Sequence, residues 1–178
     1  MTEDGDICLR FLGRDCRVRR ADGRVFGPDG AEAGFNTVMT VYDALARDNA
    51  PTLAGEFVPT AALHRIHGTH AVHEDLNAPA AARFAGRAEA LKTALAALGG
   101  RPWGPGDVSM VLDVFDFFPV CVRFYDADEE FPASLQFLWD ANALEYLFYE
   151  TLWYVMGEIT ERLEREIAPL TGELSRSD

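Results

Sequence analysis

The stretch VSMVLDVFDFFPVCVRFY, residues 108–125, decides the fold. Its first half sets Met110, Leu112 and Val114 on one side and Val111, Asp113 and Phe115 on the other. That is the period of two of a strand. Its second half sets Val120, Val122 and Phe124 opposite Cys121, Arg123 and Tyr125. Only Asp116-Phe117-Phe118-Pro119 separates the halves, too little for a crossover helix, so the two runs pair antiparallel. Residues 134–139 read as a third strand.

Outward from this centre the period changes to that of helices. Asp140 is expected to cap a long helix running to about Ile167, just before Pro169. Upstream, Asn77 and Pro79 start a helix to about Leu98, with Phe84, Ala88, Leu91, Leu95 and Leu98 on its face, and Gly99-Gly100 stops it. Phe35, Val38, Met39, Tyr42 and Leu45 form the apolar face of a helix over 35–47. Thr60 is placed to cap a short helix over 61–67. The N-terminal runs 7–12 and 15–20 read as strands, and Asp22-Gly23 before Val25-Phe26 is a hairpin signal. Strands, helices, strands and a helix make an α+β fold: a mostly antiparallel sheet packed against three main helices, the last one long. Residues 1–170 are expected to form one domain, with 171–178 a tail. The break at 102–107 reads as an internal loop.

Composition bounds what such a domain does. At 178 residues, 48% hydrophobic and 25% charged, a core is affordable without disulfides. The acidic N-terminus has no apolar stretch like a signal peptide, and no run reaches the roughly 18 apolar residues of a membrane span. The expectation is a soluble cytoplasmic protein that meets no membrane. Net charge is −13, and it is uneven: residues 107–178 hold 16 acidic and 4 basic side chains. Such a field repels phosphate backbones, so no nucleic acid is expected as a partner. Cys8, Cys16 and Cys121 have no CxxC spacing and read as reduced thiols. Neither GxGxxG, GxxxxGK[ST] nor GxSxG occurs, which disfavours the common NAD, ATP and serine-hydrolase sites.

Three features are left to carry chemistry. All four histidines, His64, His67, His70 and His73, precede Glu74-Asp75 in one stretch. Imidazoles beside carboxylates are ligands for a transition metal, although steps of three drift around a helix. Asp128, Glu129 and Glu130 belong to an acidic turn after an apolar strand, with Phe131-Pro132 expected to anchor it to the core. The last helix carries an aromatic belt that includes Tyr146, Tyr149, Trp153 and Tyr154 around Glu150. Apolar residues on every side of it imply burial on more than one face. At i±4 spacing Tyr146 and Tyr154 would flank Glu150, a candidate ligand-orienting carboxylate.

Several phrases carry a resemblance: Gly55-Glu56-Phe57-Val58, Gly106-Asp107 entering a strand, Phe118-Pro119-Val120, Asp128-Glu129-Glu130-Phe131-Pro132-Ala133, and Leu138-Trp139-Asp140 followed by Leu147 and Glu150. Over roughly residues 7–155 the chain resembles an uncharacterised bacterial and archaeal family, a domain of unknown function common in anaerobes. The Asp-Glu-Glu-Phe-Pro-Ala segment is its most specific part. Some members are joined to a four-cysteine iron–sulfur segment like those of corrinoid proteins, which three scattered cysteines here cannot supply. The resemblance implies an association with corrinoid or tetrapyrrole metabolism, and no reaction. The histidine run is not part of the shared pattern.

Three readings follow. The first is a non-catalytic module that binds a small cofactor, a tetrapyrrole or corrinoid-associated molecule, or a partner protein. Its surface is the aromatic helix with the acidic turn, and a histidine supplies an axial nitrogen. The second is a metal-dependent enzyme built on His64–His73 and nearby carboxylates. The third is a homodimer joined through the long helix.

Overall fold

The computed structural model describes residues 5–47, 52–63 and 77–174. In chain order these form β1 (Ile7–Phe11), β2 (Arg14–Val18), β3 (Val25–Phe26), α1 (Phe35–Ala46) and β4 (Phe57–Pro59), then a 3₁₀ turn at Thr60–Ala62. Next come α2 (Ala78–Phe84), α3 (Ala88–Ala97), β5 (Arg101–Pro102), β6 (Val108–Phe115), β7 (Phe118–Tyr125), β8 (Ser134–Asp140), α4 (Ala143–Tyr146) and α5 (Tyr149–Leu174). The fold is α+β. Every strand pairing is antiparallel, in two sheets ordered β1-β2-β3 and β4-β8-β7-β6-β5.

The alternation read from 108–125 sets the two faces of the large sheet. Met110, Leu112, Val114, Val120, Val122, Phe124 and Trp139 point inward and are buried. The helices cover them: α3 packs on β6, α2 on β8, and α5 lies against both α1 and α3. On the opposite face Val111, Cys121 and Leu138 form a small apolar row. Phe57 packs on that row and meets Trp103 edge to face at 5.5 Å. These rings come from the two edges of the sheet, so they close over its outer face. The buried inner residues join the N-terminal sheet and all the longer helices in one hydrophobic cluster from Phe11 to Ile167.

Four local expectations need correction, each for a tertiary reason. The first concerns residue 12, read as strand. Leu12 and Gly13 both take positive φ, 47° and 73°, and turn β1 into β2. A leucine there costs about 1–2 kcal/mol of backbone strain. Complete burial of its side chain and an N–H bond from Leu12 to the Val114 carbonyl, 2.9 Å, offset this.

The second is the helix over 79–98, which is two helices. Gly86, at φ 70°, breaks it, and its N–H donates to Asp126 Oδ1 at 2.8 Å.

The third is the expected cap at Asp140. That residue ends β8, and the chain then makes α4, becomes extended at Leu147, and restarts as α5. The carboxylate that receives the Phe148 N–H is Asp43 of α1, at 2.7 Å. A cap 105 residues away in the chain leaves no local signal.

The fourth is the apolar face of α1. Thr37, Thr40 and Val41 point inward instead, while Phe35 is 66% and Leu45 44% exposed. Close approach of α1 to α5 explains the choice of small residues. At Gly157 of α5 a Cβ would lie 2.9 Å from Asn36 Nδ2. Phe35 rests its ring edge on Tyr154 at 5.4 Å, and Tyr42 donates its hydroxyl to the Gly23 carbonyl at 2.8 Å.

Candidate functional site

The edge strand β4 is short because it spans only Phe57–Pro59, paired with Asp140, Trp139 and Leu138. Beyond Pro59 the edge of β8 at Ser134–Phe137 borders a groove of about 490 Å³. From α5, Trp153 and Met156 supply an apolar wall, and Leu138 adds another. Ser134, Gln136 and Asn77 contribute polar groups. Thr60 sits at the rim, where its hydroxyl accepts the indole N–H of buried Trp139 at 3.0 Å. A chiefly apolar concavity with a few convergent polar groups is the usual form of a small-molecule site.

Two anchors hold this geometry. Asp140 is 2% exposed and accepts N–H bonds from Ala54 (2.9 Å), Gly55 (2.8 Å) and Asn142 (3.0 Å). It thereby ties the segment leading into β4 to the end of β8. The second anchor is the charge in the groove, Arg123 of β7, directly paired across the sheet with Gln136. Its Nε is buried without a hydrogen-bond partner. Among the described residues, no carboxylate lines the groove.

A second cleft, of about 520 Å³, lies where the start of α1 meets β2 and α5. It is no smaller, but each of its arginines, Arg14, Arg162 and Arg165, holds a carboxylate. Arg162 Nε binds Glu158 at 2.7 Å, and Arg14 binds Glu166 at 3.0 Å. Electrostatics therefore favour the first groove, where the cation has no acid partner among the described residues.

Of the residues singled out in the sequence, Trp153 borders the groove. Tyr149 meets Trp153 edge to face at 6.0 Å. Tyr146 is elsewhere. It is buried against Phe117 and Phe118 at the β6–β7 hairpin, where burial, with Asp140 and Glu145 nearby, raises its pKa. Glu150 is exposed, and the extended residue Leu147 ends α4 and keeps Tyr146 out of the helix that carries Glu150. Asp128, Glu129 and Glu130 lie on the exposed turn at the far end of β7, a strand roughly 25 Å long, from Tyr146. Asp128 Oδ1 accepts the N–H groups of Glu130 and Phe131, at 2.8 and 2.7 Å, and these bonds lower its pKa. Phe131 is 65% exposed, so it does not anchor the turn. The acidic turn and the aromatic belt thus do not form one surface through Tyr146. His64, His67, His70 and His73 lie outside the described residues. Among the described residues, no group of three or more His, Cys, Asp or Glu side chains is placed to hold a metal ion.

Arg123, Gln136 and Thr60 were missed by the sequence reading as site residues. Arg123 left one usable signal: it is the only basic residue between 107 and 161.

Fold and groove together define an α+β domain with a ligand-sized recess at one sheet edge, and no helix among the described residues is long and apolar enough to cross a membrane. The chain belongs to the family described as a domain of unknown function, DUF3786, whose model matches residues 1–162. No curated protein and no solved structure matches it.

Proposed function

We propose that this domain is a binding module whose groove beside β8 holds a small, flat organic molecule. The observation that carries this reading is the pairing of the Trp153, Met156 and Leu138 wall with a short row of polar groups on the neighbouring strand edge. Aromatic and sulfur-bearing side chains suit a planar, polarisable ring. A tetrapyrrole or corrinoid is the ligand class to test first, since the sequence resemblance implies that chemistry.

Absorbance titration of the purified chain with haem, cobalamin and zinc tests it. A saturable shift of the haem or cobalamin spectrum at one equivalent, lost in Trp153→Ala, supports the reading. A haem or cobalamin shift that Trp153→Ala leaves intact places the ligand elsewhere. Binding of zinc alone, abolished by substituting His64, His67, His70 and His73, favours the metal-dependent alternative instead. Failure of all three leaves a partner protein as the ligand.

A further inference from the structure

We infer that Arg123 is the anion anchor of the groove, and that the ligand is an amphipathic organic acid whose apolar body rests on Trp153 and Met156. The inference rests on the groove being the ligand site and adds the chemical class of what fills it.

The first argument is charge. Residues 107–178 carry 16 acidic side chains and 4 basic ones. In so acidic a stretch, an arginine has every opportunity to find a carboxylate. Arg162 and Arg165 do, through Glu158 and Glu161, and Arg101 just before the stretch pairs with Asp113 inside it. Among the described residues, Arg123 has no acid partner. Its cross-strand neighbours are Ser109 and Gln136, both neutral.

The second argument is desolvation. Arg123 Nε is buried and donates to nothing. A sealed donor without an acceptor is unfavourable, and it leaves the guanidinium short of partners. The Nη groups are not sealed, and a ligand acid group can bring acceptor oxygens to them without displacing Nε.

The third argument is preorganisation. The loop after β5 lies on the Arg123 side chain. A Cβ at Gly104 would sit 3.4 Å from Arg123 Nη2, and one at Gly106 would sit 3.2 Å from its Cγ. Both glycines have positive φ, 61° and 140°. Backbone packed this closely limits the rotamers of the arginine before any ligand arrives, which reduces the entropy lost on binding.

The test uses two fluorescent probes with one skeleton. 8-Anilinonaphthalene-1-sulfonate carries an anion, and N-phenyl-1-naphthylamine lacks it. On a chain of net charge −13, long-range repulsion disfavours the sulfonate. A local anchor is therefore needed to reverse the order. The expected result is tighter binding of the sulfonate by wild type, by about tenfold, the size of one charge-assisted contact. Arg123→Gln should remove that preference without changing the neutral probe, and Arg123→Lys should restore part of it. Trp153→Ala should weaken both probes.

Equal or weaker sulfonate binding by wild type overturns the assignment of Arg123. So does an unchanged preference in a folded Arg123→Gln variant. In either case, retained sensitivity of both probes to Trp153→Ala keeps the groove itself. If neither probe binds, the groove reading fails and the anchor with it. Should Arg123→Gln not fold, the wild-type preference and its decline with salt decide the matter.

Discussion

Asp140→Ala removes one acceptor from three backbone N–H groups at once. The donors are Ala54, Gly55 and Asn142, at 2.9, 2.8 and 3.0 Å from a carboxylate that is 2% exposed. Hydrogen bonds to a charged acceptor contribute about 1.5–3 kcal/mol each. Ala54 and Gly55 are exposed, so their N–H groups regain water when the carboxylate is lost. Only part of the sum is therefore forfeited, and the expected loss is about 2–4 kcal/mol. For a chain of this length that corresponds to a fall in Tm of roughly 5–15 °C. Urea denaturation followed by tryptophan fluorescence reads it as a lower midpoint at unchanged slope. Asp140→Asn keeps one acceptor oxygen and should fall between wild type and alanine. The reasoning is refuted if Asp140→Ala unfolds within about 0.5 kcal/mol of wild type, the range of an ordinary surface substitution.

Three further outcomes follow from local geometry. Gly100→Ala should destabilise by about 1–3 kcal/mol, because a Cβ would meet the Leu95 carbonyl oxygen at 2.7 Å and backbone cannot yield as a side chain does; a variant as stable as wild type contradicts this. Native protein should expose one thiol to Ellman's reagent, that of Cys8, and three in urea, since Cys16 and Cys121 are buried and burial raises both their pKa values, that of Cys16 to about 11. The third concerns Asp22, whose carboxyl is held at about 2 by the Arg19 hydrogen bonds, below its unfolded value. Its stabilising contribution is therefore whole above pH ~4 and is lost as pH falls through the folded value. A carboxyl-carbon NMR titration should show a midpoint near 2 that moves up in Arg19→Gln, and an ordinary midpoint in wild type would contradict it.

The central hairpin was legible because one face of it is dry. Alternation over 108–125 and 134–139 follows from burial on the inner face, and the register Val111↔Cys121 and Cys121↔Leu138 places those three residues in the outer row. Phe115 is the exception: expected on the outer face with Val111, it is returned to the main core by an irregularity in β6 between Asp113 and Phe115, and it packs on Phe11. What the sequence hid was tertiary. The turn at Leu12 depends on burial under β6, and the start of α5 depends on Asp43 from another helix. The inward face of α1 carries Thr37, Thr40 and Val41 rather than its large side chains, because the helix approaches Gly157 so closely. Pattern reading assigns the large side chains inward, and here proximity selects the small ones. The site was legible only at Trp153. Arg123 looked like one more outward strand residue; what sets it apart is that no carboxylate among the described residues pairs with it and that a loop folds over it. Neither property is local in the chain.

The groove is tested most directly by mapping where a bound anion sits. Backbone amide spectra of nitrogen-15 protein titrated with 8-anilinonaphthalene-1-sulfonate give the location residue by residue. The account predicts saturable shifts centred on Ser134–Leu138, Arg123, Trp153 and Met156. Shifts centred on Gly34, Glu158 and Arg162 in the second cleft, or on the outward face of α1 at Phe35 and Leu45, would contradict it.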